Sequence, residues 1–146
     1  MNKKIIKYLV LLYTGFTSYI TIECLYRNYS YFLMGVCGAI DFILIDSIND
    51  KISWNIPLII QGIIGSAIIT FTELIVGELD KHILHIGMWD YSNMLFNFDG
   101  VICLEFSLIW ILISIYAIFI GDFINYYLLR EGEKPYYIIF GKKFSW

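Results

Sequence analysis

At 146 residues the chain has room for one unit and not for two domains of ordinary size. Hydrophobic residues make up 59% of it and charged residues 16%, against roughly 45–50% and 25% in soluble domains, which excludes an ordinary soluble domain. A net charge of −3 leaves no basic footprint for nucleic acid.

The first apolar block covers residues 5–22, after Lys3 and Lys4 and including Lys7. A secretory signal peptide begins the same way, but no small-x-small cleavage pattern follows; Thr17-Ser18-Tyr19-Ile20 stands there. The block is expected to remain as a helix. The second block, residues 31–48, holds Asp41 and Asp46. The third, residues 56–76, opens at Pro57, where a missing N–H costs least. The fourth, residues 101–127, holds Glu105 and Asp122. A bilayer takes roughly 20 helical residues, so each block can cross one. The expected fold is all-α: a polytopic membrane protein whose single transmembrane domain, residues 1–146, carries four transmembrane helices.

Residues 78–100 form a long connector between the third and fourth spans. It is not hydrophilic, for Ile83, Leu84, Ile86, Met88, Trp89, Met94, Leu95 and Phe96 lie in it. That pattern predicts an interfacial amphipathic helix or a re-entrant segment. Trp89 and Tyr91 suit headgroup depth. Four spans put both termini on one side. Eight of the ten basic residues then share that side, leaving Arg27 and Lys81 opposite. Basic residues gather on the cytoplasmic side, so both termini are predicted to be cytoplasmic and the connector to face outward.

Helices in lipid associate through small and polar residues. The third span carries Gly62, Ser66, Thr70, Glu73 and Gly77 at helical spacing on one face. Thr14, Ser18 and Thr21 form such a stripe in the first span, Gly35, Gly38 and Asp41 in the second, and Ser107, Ser114, Ala117 and Gly121 in the fourth. Glu73 stands out. An acid inside a membrane faces a partner or a cavity. It is either hydrogen-bonded helix glue, with Tyr or Ser of another helix as partner, or part of a cation or proton site. Glu105 and Asp41 pose the same question. Asp46 and Asp122 lie nearer the membrane ends.

Cys24, Cys37 and Cys103 lie in or beside apolar blocks and read as reduced core residues, not a disulfide framework. His82 and His85, with Glu78 and Asp80, could share a helical face compatible with zinc. No further ligand pair accompanies them, so they read first as interfacial histidines, and no cofactor is assigned. There is no Gly-x-x-x-x-Gly-Lys-Ser/Thr loop and no Gly-x-Ser-x-Gly elbow.

Three groups of residues carry a resemblance. Glu73, Leu74 and Gly77 close the third span. Trp89-Asp90-Tyr91-Ser92 and then Asn97 and Gly100 follow. Ile102-Cys103-Leu104, Phe106-Ser107 and Trp110 open the fourth. Together they resemble a family of small bacterial membrane proteins labelled putative ABC-transporter permeases (type IV), by motif over the middle third and by layout elsewhere. Leu95 departs from the family's frequent proline, and Val101 from its frequent polar or basic residue, which implies a connector that bends differently. The resemblance implies a permease-like subunit of the bacterial cytoplasmic membrane. It would work with copies of itself or with a separate ATPase subunit, since no nucleotide motif is present. Candidates for a substrate or ion path are Glu73, Glu105, Asp41 and Asn97, with Trp89, Asp90, Tyr91 and Ser92 as an outer lid. A structural or prophage-type membrane protein, with its acids used for packing, is the alternative. A membrane enzyme acting on a lipid-linked substrate through Asp90, His82 and His85 is the lesser one.

Overall fold

The computed structural model describes residues 3–145. Four helical stretches dominate it, each long and apolar enough to cross a membrane: Lys3–Arg27, Phe32–Lys51, Leu58–Leu84 and Leu104–Leu128. Their α-helical parts are α1 (Lys3–Arg27), α2 (Phe32–Asp46), α4 (Leu58–Leu79) and α5 (Leu104–Phe123). A single turn, α3 (Ile48–Lys51), follows α2. π-helical turns extend α4 over Asp80–Leu84 and α5 over Ile124–Leu128. Two small antiparallel hairpins complete the chain: β1 (Asn97–Phe98) with β2 (Ile102–Cys103), and β3 (Tyr136–Ile139) with β4 (Lys142–Ser145).

The helices pack as two pairs, α1 on α2 and α4 on α5, with α2 bridging the pairs. Small residues set the approach. A Cβ on Gly15 would stand 2.5 Å from the Gly38 carbonyl oxygen, so α1 and α2 touch backbone to backbone. The face of α1 that meets α2 is therefore Leu11, Gly15 and Tyr19, not the Thr14-Ser18-Thr21 stripe. Thr17, Ser18 and Thr21 instead line a groove toward Ile113 and Tyr116 of α5. The α4 stripe does meet its neighbour. Gly62 packs on Ile111 and Ile115, Ser66 Oγ donates to the Ser107 carbonyl at 2.6 Å, and Thr70 and Ser107 hydroxyls lie 3.1 Å apart. Outward ridges such as Ile59 and Ile63 of α4, and Leu108 and Leu112 of α5, stay exposed on the bundle surface, where a bilayer would cover them.

Polar contacts identify the two ends. At one end Lys7 Nζ lies 3.6 Å from Asp46, Asn125 donates to Asp46 at 2.7 Å, and Tyr137 donates to Asp122 at 2.9 Å. The start of α1 and the C-terminal hairpin share this end, and Ile138 of the hairpin bridges to Pro57. At the other end Arg27 donates to the Met88 carbonyl and pairs with Glu23 at 2.9 Å. The four-span layout thus gathers Lys7 and the hairpin's Lys142 and Lys143 at one end and Arg27 and Lys81 at the other.

Two expectations of detail change. Of the two forms expected of the connector, the amphipathic helix does not form beyond the π turn; the chain instead folds back onto the bundle, where Tyr91 reaches Glu73. After the π turn, His85 adopts φ +54 and Gly87 φ +70, which turns the chain back. The Asp80 carboxylate fixes that reversal by accepting from the amides of Ile86 at 2.7 Å, Gly87 at 3.3 Å and Met88 at 2.7 Å. The chain is also not purely helical, since the tail forms the β3–β4 hairpin. Cys37 and Cys103 are buried and unpaired, whereas Cys24 is exposed rather than in the core.

Gly15→Leu should separate α1 from α2. A fluorescence melt in detergent is expected to show a loss of about 1–3 kcal/mol or more, the cost of overpacking a close contact. Ile63→Leu, on an exposed ridge, should change stability by less than about 0.5 kcal/mol.

Candidate functional site

The site is built on the upper half of the α4 stripe, whose spacing carries Glu73 toward α5. Its residue is 5% exposed. Even lenient scales charge about 2.5–3.5 kcal/mol for a carboxylate at mid-membrane, so the acid needs donors. It has two. Trp110 Nε1 of α5 donates to Oε2 at 2.8 Å, and the Tyr91 hydroxyl of the connector donates to Oε1 at 3.1 Å. Rings enclose the acid. Tyr91 stacks on Phe106 at 4.7 Å between centroids, and Trp110 stacks on Tyr19 of α1 at 6.1 Å. Among the described residues, hydrogen-bond donors and not a basic side chain meet Glu73.

Tyr91 reaches Glu73 because the surrounding residues form a clasp. Asp90 Oδ1 accepts from the amide and the hydroxyl of Ser92. The Tyr91 amide donates to the Gly100 carbonyl at 2.8 Å. Asn97 ties both turns together: its Nδ2 donates to the Met94 carbonyl at 2.8 Å, and its Oδ1 accepts from the Gly100 amide at 3.1 Å. Gly100 has φ +72, and a Cβ there would stand 2.6 Å from Ser92 Oγ, so the tight crossing requires glycine. Trp89 Nε1 donates to the Val101 carbonyl at 2.8 Å, and its ring edge abuts Gly77 of α4. Trp-Asp-Tyr-Ser and Asn-x-x-Gly are two halves of one hydrogen-bonded clasp, and Tyr91 is its tongue.

The proposed path residues fall into separate places. Glu73 and Tyr91 meet directly and Trp89 packs beside Tyr91 against Gly77 and Val101, while Asp90, Ser92 and Asn97 shape the clasp. Asp41 is buried on α2 and accepts from Thr72 of α4 at 2.7 Å. Glu105 is exposed in the first turn of α5, apart from the Glu73 contacts, where it complements the helix dipole. His82 and His85 do not share a face, because the turn at His85 breaks the helix between them. Above the clasp lies a cleft of about 350 Å³ lined by Asp80, Lys81, His85, Trp89, Asp90 and Asp99, among others. Sequence reasoning missed Trp110 and Thr72 as the partners of Glu73 and Asp41, and Asp80 as the connector's cap. An Asp followed six to eight residues later by a Gly-containing loop is the one local signal for that cap.

The electrostatics of the connector favour the clasp. Bonds from Ser92 hold the Asp90 carboxyl below its ordinary range, and Lys81 does the same for Asp99. Burial first, then the neighbouring Glu73 carboxyl, pushes the Tyr91 phenol far up, so it remains a donor.

These features define a polytopic membrane protein whose connector is hydrogen-bonded to a buried acid of the bundle. The family described as "Putative ABC-transporter type IV" matches residues 29–141, and the chain belongs to it. Every element of the clasp and of the Glu73 contact lies inside that match except Tyr19. No curated protein and no solved structure matches the chain. The family makes the chain a transport-related membrane protein.

Tyr91→Phe and Trp110→Phe each strip one donor from a buried carboxyl. Each is expected to lower unfolding stability in detergent by about 1–3 kcal/mol, while Leu112→Ala on the outer ridge should stay within about 0.5 kcal/mol. The pH response follows from Asp90. Its folded pKa is depressed, so its contribution is complete above the ordinary Asp value of about 3.9 and disappears as pH falls through the lower folded value. Hydrogen exchange should show the Ser92 amide protected at neutral pH and freed in acid.

Proposed function

We propose that the chain is the permease-like subunit of a transport system in the bacterial cytoplasmic membrane, energised by a separate ATPase subunit and assembled with further copies or partners. Four helices enclose little room for a solute, and the chain carries no nucleotide-binding loop. Both termini would lie on the cytoplasmic side and the connector outside, in keeping with the eight-to-two division of basic residues.

The observation that carries the reading is the Tyr91–Glu73 bond. It joins a buried acid of the membrane helices to a segment facing the opposite end from the termini. A latch of this kind holds an outer lid shut, and breaking it exposes Glu73 and, one helix away, Asp41. Glu73 then serves as the acid that a cation or polar head group meets when the lid lifts. A second reading has its own support. Both Glu73 oxygens already have donors, as expected of packing glue in an accessory subunit.

Two experiments separate the readings. Native Cys103 lies buried under the clasp at 2% exposure, paired through β2 with Asn97. In a Cys24→Ser, Cys37→Ser background, a membrane-impermeant maleimide added from outside should label it slowly. Tyr91→Phe should speed labelling by roughly tenfold, the equivalent of one lost hydrogen bond of about 1.4 kcal/mol. Equal rates would dismiss the latch. Cross-linking in native membranes should recover an ATPase with the chain. Capture of a fixed partner without ATPase activity, together with full function of Glu73→Gln, would select the accessory reading.

A further inference from the structure

We propose that Glu78, His82 and Asp99 bind a divalent transition-metal ion of the zinc class, which staples the end of α4 to the β1–β2 turn. One ligand atom from each of the three lies within 4.8 Å of the other two. Glu78 and His82 stand four residues apart along α4 and its π turn, with His82 Nε2 3.2 Å from Glu78 Oε2. Asp99 comes from the hairpin turn, where the backbone adopts φ +51.

Charge argues for an ion there. Two carboxylates converge on one imidazole, and like charges so placed repel. Lys81 compensates for part of this by donating to Asp99 Oδ1 and to the Asp99 carbonyl. Glu78 Oε2 and His82 Nε2 face each other at 3.2 Å, and a metal would take the place of the proton between them. Ligands of a tetrahedral zinc ion stand roughly 3.4 Å apart, so the Glu78–His82 pair already has the spacing. Asp99 and His82 are exposed, and their ends can close the remaining gap. Imidazole with carboxylates suits zinc, whereas calcium and magnesium favour all-oxygen sets. Three protein ligands leave one position for water. His85 is not part of the site, because it sits in the turn beyond the helix. The staple would tie the end of α4 to the Asn97–Gly100 half of the clasp, so a bound ion would hold that half against α4. This inference does not depend on the transport reading.

The test is titration calorimetry of the full chain, purified in detergent without a histidine tag, with Zn²⁺ as the probe. One ion per chain is expected. Glu78→Gln, His82→Gln and Asp99→Asn should each weaken binding by roughly 10–100-fold. His85→Gln should leave it unchanged. Lys81→Gln removes the competing ammonium and should tighten binding by roughly two- to fivefold, a gain that misfolding cannot imitate. Ca²⁺ should not displace the zinc. The proposal is overturned by absence of saturable binding, by loss in His85→Gln with retention in His82→Gln, by weaker binding in Lys81→Gln, or by displacement by Ca²⁺.

Discussion

A carboxyl group inside a membrane-spanning helix must be supplied with donors, and this requirement at Glu73 organises the connector end of the molecule. Trp110 supplies one from the neighbouring helix. The other comes from Tyr91, which lies on no helix and has to be brought there. The rest of the connector follows from that demand. Asp90 and Ser92 turn the chain, Gly100 permits the crossing, Asn97 ties the crossing shut, and Asp80 reverses the chain so that the segment returns to the bundle. Aromatic stacking on Phe106 and Trp89 against Gly77 then shields the polar bonds.

The opposite end meets the same kind of demand with different means. Asp46 and Asp122 are nearly buried and draw on Lys7, Asn125, Asn49 and Tyr137. Those partners come from α1, α3, the end of α5 and the C-terminal hairpin. Each end of the bundle is therefore cross-linked by acids, while the middle is held by close contact of small residues. The two acid systems differ in one respect that matters for function. Glu73 draws on a tyrosine of the connector and a tryptophan of α5, whereas the other end adds a lysine and two helix-borne amides to a tyrosine of the hairpin.

The four spans and the α4 stripe were legible from the sequence, because periodicity and hydropathy record them locally, while the clasp residues stood out only through the family resemblance. The partners were not. Tyr91 meets Glu73 across 18 residues and Trp110 meets it across 37, and no local pattern encodes such pairings. Of the two forms expected of the connector, the interfacial helix does not form because Asp80 captures three amides that a helix would have used. The α1 face was misread for a related reason: Gly15 is the one glycine that α1 brings to its contact with α2, which supplies Gly35 and Gly38, and the more obvious Thr-Ser-Thr stripe lies elsewhere. The tail hairpin hides behind its basic residues, although Gly141 with φ +72 marks its turn. Of the acids, Glu73 could be placed on its face from spacing alone, while the exposure of Glu105 depends on where α5 begins.

The central claim is that Glu73 and Tyr91 act on each other and not merely near each other. A double-mutant cycle with Glu73→Ala and Tyr91→Phe, read as unfolding free energy in detergent, measures this directly. The account predicts a coupling energy of about 1–3 kcal/mol, because each single change already removes the shared bond. Effects that simply add, to within about 0.5 kcal/mol, would contradict it.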